Sequence, residues 1–162
     1  MLFGNKREFA IEIKFEKNKQ YANILLYVSE IFIGRKDDTT YIESFFASLE
    51  NEFENIQKLP IKYRQLSSKE IFKILYPDDD QDDYPEELYN FSISGLEDTF
   101  DVFSMMSYKD TENDIIFCWE LDLKYYNPRN YPKGIHCKKL NYVYVKNVIK
   151  ESANYVSKYI ES

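Results

Sequence analysis

The sequence predicts an α+β fold, in which helices pack on a mostly antiparallel β-sheet of about five strands. In several segments apolar residues alternate with polar ones, which is typical of half-buried strands. In other segments apolar residues recur at three- and four-residue spacing behind N-capping residues, which is typical of amphipathic helices. The chain also has only 4 Gly and 5 Pro in 162 residues, which argues against a turn-dense β-sandwich.

The strands are predicted from the alternation. In residues 9–15 the apolar side chains of Phe9, Ile11 and Ile13 share one face. Residues 21–33 predict one long strand, bent near Ser29. Three later segments, joined by short turns, predict an antiparallel meander. The five predicted strands are 9–15, 21–33, 89–94, 99–108 and 115–124.

Three helices follow from capping signals and apolar stripes. Thr40 and Glu43 have the spacing of a capping box, as do Ser67 and Glu70, and Asn141 is a plausible N-cap. The predicted helices span 41–58, 68–76 and 142–160. The predicted core is formed by Phe9, Ile11, Ile13, Phe45, Phe46, Leu49, Phe53, Phe117, Trp119, Leu121, Val148, Ile149 and Val156.

The composition fits one domain spanning residues 1–162, since 44% hydrophobic and 17% aromatic residues can form a substantial core. The N-terminus has no long apolar segment, so we expect a soluble, cytoplasmic protein without a membrane anchor. The two cysteines, Cys118 and Cys137, are too few for a disulfide scaffold and are expected to be reduced thiols.

The net charge of −7 is concentrated in one stretch. Between Pro77 and Glu87 lie seven carboxylates and no basic residue, and seven is also the excess of the chain's 28 acidic over its 21 basic residues. The stretch is not an EF-hand loop, because Asp83 and Tyr89 stand where that motif requires Gly and Glu. Loose cation binding stays open. The run is either a solvated connector or an electrostatic landing patch for a basic partner.

No constellation of catalytic residues is evident. His136 is the one histidine, and Cys137 beside it would point to the opposite face of a strand. Usual zinc-ligand spacings and Gly-rich phosphate-binding loops are absent. Glu120 and Asp122 share one face of a strand, and we interpret them as an ordinary solvated pair. We therefore predict no enzyme activity, no metal and no cofactor.

A basic stretch follows the last predicted strand. Seven bases and no acid lie from Leu123 to Lys150, with several tyrosines among them. A nucleic-acid patch is conceivable, but the acidic chain favours an exposed loop and helix start. An intramolecular approach to the acidic run is an equally open alternative.

The N-terminus carries a family resemblance. Met1-Leu2-Phe3-Gly4-Asn5, followed by Phe9-Ala10-Ile11-Glu12, resembles the start of bacterial immunity proteins encoded beside polymorphic and contact-dependent growth-inhibition toxins. A tryptophan and extra glycines expected in the second strand region are missing here, because Tyr21 to Gly34 has no Trp and one Gly.

The resemblance implies a small acidic α+β protein that binds and neutralises a toxin domain, often a nuclease, and it transfers no catalytic residue. We expect a monomer when free that binds a protein, not nucleic acid or a membrane. A small α+β enzyme and a subunit of an oligomeric assembly are the alternatives. The predicted partner-binding residues are Asp78, Asp79, Asp80, Asp82, Asp83, Tyr84, Glu86 and Glu87.

Overall fold

The computed structural model describes residues 1–78 and 85–162, and it confirms the α+β class. These residues form eight strands and three α-helices. The strands are β1 (Leu2–Gly4), β2 (Phe9–Phe15), β3 (Tyr21–Val28), β4 (Ile31–Ile33), β5 (Thr40–Tyr41), β6 (Phe103–Lys109), β7 (Asp114–Leu121) and β8 (His136–Asn141). The helices are α1 (Ile42–Glu54), α2 (Ser68–Leu75) and α3 (Tyr142–Glu161).

The first sheet has the antiparallel order β1-β2-β3-β4, and β5 also pairs with β3. The register sets Ile11 opposite Leu26 and Ile13 opposite Ile24, and all four side chains are fully buried. Helix α3 packs against β1 and β2, and α1 packs against α3. The alternation in residues 9–15 therefore predicted both the strand and its buried face.

The long strand predicted over residues 21–33 is wrong, because the segment is a hairpin. Ser29 and Glu30 have φ angles of 50° and 69°, and Val28 pairs with Ile31. Such left-handed turns are usually formed by Asn or Gly. Neither residue stands here, so the chain reversal had no sequence signal.

A second, separate sheet has the antiparallel order β6-β7-β8, where one sheet was predicted. The second sheet is an antiparallel meander, but its three strands are not the three segments that were predicted. The strand predicted at 89–94 is wrong, since a 3₁₀ helix spans Glu86–Phe91, and the strand predicted from Thr99 begins at Phe103 after another 3₁₀ turn. The third member is β8, where no strand was predicted.

Strand β7 is covered on both faces. Phe117 and Trp119 join the main core, which includes the apolar residues of the first sheet, α1 and α3. Cys118, on the opposite face, belongs to a smaller cluster with Phe72 of α2 and Leu88 of the 3₁₀ helix. The second sheet is therefore a middle layer between the main core and α2.

The capping predictions have different outcomes. Ser67 and Glu70 form the capping box at α2, and Asn141 accepts a hydrogen bond from Tyr144 N at 2.9 Å. Thr40 caps nothing, because it lies in β5, and its buried hydroxyl contacts the hydroxyl of Thr99 at 2.8 Å. Helix α1 also ends at Glu54, well before Pro60.

The core prediction is confirmed, since every residue named for it is buried and the most exposed, Leu121, is 7% exposed. Gly4 has φ +80°, and a Cβ there would lie 2.5 Å from the carbonyl oxygen of Phe9. Only glycine fits this backbone position. None of the helices in residues 1–78 and 85–162 combines the length and apolar character that crossing a membrane requires.

Candidate partner-binding surface

The two ends of the acidic run are anchored on the same face of the second sheet. Leu75 at the end of α2 and Leu88 in the 3₁₀ helix are buried in one cluster with Cys118. The Tyr76 hydroxyl lies 2.5 Å from Ser92 Oγ and donates to Met105 O at 2.7 Å. The described residues on both sides of the run therefore lie beside the second sheet.

Of the predicted partner-binding residues, Asp78, Glu86 and Glu87 are described, and all three are exposed. The other five, Asp79, Asp80, Asp82, Asp83 and Tyr84, lie outside the described residues. Glu86 and Glu87 open the 3₁₀ helix, where carboxylates favourably face free amides.

Glu87 already has intramolecular partners. Its carboxylate forms an ion pair with Lys62 and accepts a hydrogen bond from the Tyr63 hydroxyl at 2.9 Å. These hydrogen bonds, with Lys62 the stronger influence, lower the pKa of Glu87 below its usual value. Glu87 therefore also fixes the Lys62 segment against the 3₁₀ helix.

Glu120 joins the acidic surface, contrary to its interpretation as an ordinary solvated residue. It is half-buried on the face of β7 that α2 covers. Burial raises its pKa most and the nearby carboxylate of Asp78 raises it further, whereas His136 and Lys73 oppose the rise and Asp122 adds a smaller increase. We call Asp78, Glu86, Glu87, Glu120 and Asp122 the acidic surface. Sequence could have found Glu120, because period two places it on the same face as the apolar Ile116 and Cys118.

The two cysteines form a disulfide, so the expectation of reduced thiols is wrong for this structure. Cys118 and Cys137 are directly opposite each other in the β7–β8 register, with Cα atoms 4.1 Å apart. Because β8 was not predicted, no sequence pattern placed the two cysteines together. The bond ties an edge strand to the middle of the second sheet.

His136 is used in packing. Its ring lies 5.2 Å from that of Trp119, and Nε2 lies 3.1 Å from Pro132 O. Cys137 points to the opposite face, as predicted, and is bonded to Cys118. Across residues 1–78 and 85–162 no three His, Cys, Asp or Glu side chains are grouped as a metal site would need.

A cleft of about 470 Å³ lies where Lys58 and Arg64 approach the end of β6. Its other polar lining includes Lys109, Tyr108 and Asp110, whose carboxylate forms an ion pair with Lys139. The hydroxyls of Ser68 and Tyr108, both on this lining, lie 2.9 Å apart.

Comparisons with known proteins give one family and one fold. A family model described as Immunity protein 42 matches residues 1–155. The crystal structure of CdiI from Burkholderia dolosa AUO158 is similar in fold, with a TM-score of 0.62 and 12% sequence identity over 96% of this chain and 99% of that chain. A comparison with curated proteins found no match.

Proposed function

The chain belongs to the Immunity protein 42 family, and from this premise we propose that it binds a cognate toxin domain and neutralises it as a stoichiometric inhibitor. The match to residues 1–155 is the observation that carries the proposal. We propose that the partner is the C-terminal domain of a contact-dependent growth-inhibition toxin, bound in the cytoplasm by a monomeric immunity protein.

We place the contact at the acidic surface together with the run at residues 79–84. Its support is electrostatic: the excess negative charge of the chain is concentrated there, and Asp78, Glu86 and Asp122 are exposed. A nuclease domain presents a basic groove because its substrate is polyanionic. Spaced carboxylates match that groove, so we propose a nuclease toxin whose substrate groove is covered.

The raised pKa of Glu120 adds a physical reason for this placement. Burial and the carboxylates of Asp78 and Asp122 disfavour its charge in the free protein, and they outweigh the opposing influence of His136 and Lys73. A cation from a partner would relieve that repulsion, and the relief would contribute to binding. Glu87 would contribute less to binding a cation of the partner, because its charge is already balanced by Lys62.

The decisive experiment is a pull-down with the toxin domain encoded beside this protein, followed by a growth-protection assay. Association kinetics then test the site. The test variant carries Asp78→Asn, Asp79→Asn, Asp80→Asn, Asp82→Asn and Asp83→Asn. The matched control removes the same charge from exposed positions in the turns that flank β2 and on α1 and α3: Glu8→Gln, Glu16→Gln, Glu54→Gln, Glu151→Gln and Glu161→Gln.

We expect the test variant to associate about tenfold more slowly at low salt and to approach the wild type at high salt, because solvent-exposed interface charges act mainly on the association rate. The control should stay close to wild type. If both rates of the test variant equal those of the wild type at low salt, the run is a connector and the toxin binds elsewhere.

We further propose that protection requires no catalysis by this chain. His136→Ala should bind and protect as wild type does, since the ring contacts Trp119 and Pro132 O rather than a nucleophile. Thermal unfolding shows whether the variant is folded. A folded His136→Ala protein that still binds the toxin but no longer protects would overturn the non-catalytic proposal.

A further inference from the structure

The loop of residues 123–135, between β7 and β8, exposes cations that the proposed acidic contact does not use. We call it the cationic loop. Lys124, Arg129 and Lys133 are exposed, and Tyr125 is 66% exposed. Tyrosine binds partners well because it buries a large area at a small cost in side-chain entropy.

The cationic loop is held in place by buried contacts. Tyr131 is 7% exposed, and its hydroxyl donates to Phe32 O at 2.8 Å and accepts from Trp119 Nε1 at 3.3 Å. Tyr126 anchors a second point, because its hydroxyl accepts a hydrogen bond from Lys36 N at 3.1 Å. Such contacts lower the entropy that a loop loses on binding.

The base of the loop is also closed. Asp122 Oδ1 accepts from Lys124 N at 2.9 Å on the β7 side. On the β8 side His136 contacts Pro132 O, and the Cys118–Cys137 disulfide joins the two strands. The loop therefore presents a largely preorganised surface.

The charges of this surface are not neutralised within the described part of the chain. Lys139 on β8 pairs with Asp110, but Lys124, Arg129 and Lys133 form no ion pair with a described carboxylate. The two charged regions therefore do not neutralise each other through the carboxylates that the structure describes.

We propose that the cationic loop is a second contact for the same toxin domain and binds an acidic patch of it, an inference that rests on the proposed function. Asp122 belongs to the acidic surface and immediately precedes the loop, so a partner that covers one reaches the other. Adjacent patches of opposite sign on a rigid support select one orientation of the partner, since a rotated partner meets like charges.

The test reverses the loop charges with Lys124→Glu, Arg129→Glu and Lys133→Glu. The matched control reverses three exposed bases on β2, its turn and α3, with Lys14→Glu, Lys17→Glu and Lys150→Glu, so the net charge is the same. We expect the loop variant to bind the isolated toxin domain about tenfold or more weakly, because like-charge juxtaposition at an interface is strongly unfavourable. The control should stay within about twofold.

Tyr125→Ala tests the aromatic part without changing charge. We expect about tenfold faster dissociation from the toxin domain, as for an interface tyrosine. Circular dichroism and the unfolding midpoint should match wild type, because the side chain is mostly exposed. If the loop variants bind the toxin as tightly as their control, the second contact is refuted while the immunity function stands.

Fluorescence anisotropy with a labelled single-stranded 20-mer tests whether the cationic loop binds nucleic acid instead of the toxin domain. Suppose that the wild type binds this probe, and that the loop variant loses the probe but keeps its affinity for the toxin domain. The cationic loop would then bind nucleic acid, and the proposal would be overturned. If the wild type does not bind the toxin domain at all, the proposed function fails, and the second contact fails with it.

Discussion

The two sheets of this immunity protein are stabilised differently. The helix-backed region, formed by β1–β5, α1 and α3, buries one alternating face under long amphipathic helices. The disulfide-braced region, formed by β6–β8, α2 and the 3₁₀ helix at Glu86–Phe91, is a middle layer with a short helix, a covalent bond and a half-buried carboxylate. The second region also carries both proposed contact surfaces. Burial under the helices therefore stabilises the first region, while specific contacts position the exposed charges of the second.

The largest expected effect comes from the residue that joins the two regions. Trp119 belongs to the second sheet, is fully buried and packs in the main core. Trp119→Ala should lower the free energy of unfolding by about 3–5 kcal/mol, because it leaves a cavity between the regions. Urea denaturation measures it, with Tyr125→Ala as the exposed control. A cost below about 1 kcal/mol would show that the regions are not packed through this residue.

The disulfide should stabilise one region selectively. Cys137→Ala should cost about 3 kcal/mol without reductant, from the loop-closure entropy of a 19-residue separation. Hydrogen exchange should accelerate in β8 and the cationic loop more than in β2 and β3. With dithiothreitol, which reduces the disulfide, the wild type should be only slightly more stable than Cys137→Ala. Equal unfolding midpoints of wild type and variant without reductant would contradict the expected role.

Thr40 and Ser67 were both predicted to cap helices, but removal of their hydroxyls should lower the free energy of unfolding by different amounts. Thr40→Val leaves the buried Thr99 hydroxyl without this partner and should cost about 1–3 kcal/mol. Ser67→Ala removes the α2 cap and should cost about 1 kcal/mol. The double variant Thr40→Val/Thr99→Val should cost less than the sum of its single variants. Additive costs in urea denaturation would rule out the buried pair.

The smallest effects are pH-dependent and have opposite signs in the two regions. The hydrogen bond from Lys6 lowers the pKa of Glu12, so this carboxylate stabilises the fold above its unfolded pKa of about 4.3, and the contribution is lost as the pH falls through the lowered value. Burial raises the pKa of Glu120, so its ionisation destabilises the fold as the pH rises from about 4.3 through the raised value.

Glu12→Gln should therefore lower stability at pH 7, and Glu120→Gln should raise it, each by less than about 1 kcal/mol because both groups are partly solvated. The difference of each variant from wild type should shrink as the pH falls through the pKa of the carboxyl group that it removes. Urea denaturation from pH 3 to pH 8 checks the signs. A loss of stability at pH 7 in Glu120→Gln would mean that attraction to Lys73 and His136 outweighs the burial of this carboxylate and its repulsion by Asp78 and Asp122.

Elements with a local sequence signal could be predicted from the amino-acid pattern alone. Alternation over residues 9–15 fixed β2 and its buried face, the Ser67–Glu70 capping box opened α2, and the apolar stripe after Asn141 predicted α3. These succeed because side-chain direction within a strand or helix depends only on local backbone geometry. The same reasoning identified the core residues and located the charge excess.

The remaining features depend on contacts between segments that are distant in the sequence. The pairing of Cys118 with Cys137, the contact of Thr40 with Thr99, and the approach of Glu120 to Asp78 depend on which segments become neighbours. The 3₁₀ helix at Glu86–Phe91 replaced a predicted strand because Leu88 and Phe91 fill the cluster beneath α2, where tertiary packing overrides a short alternating pattern. Contacts distant in sequence are set by the packing of whole layers, which no local period encodes.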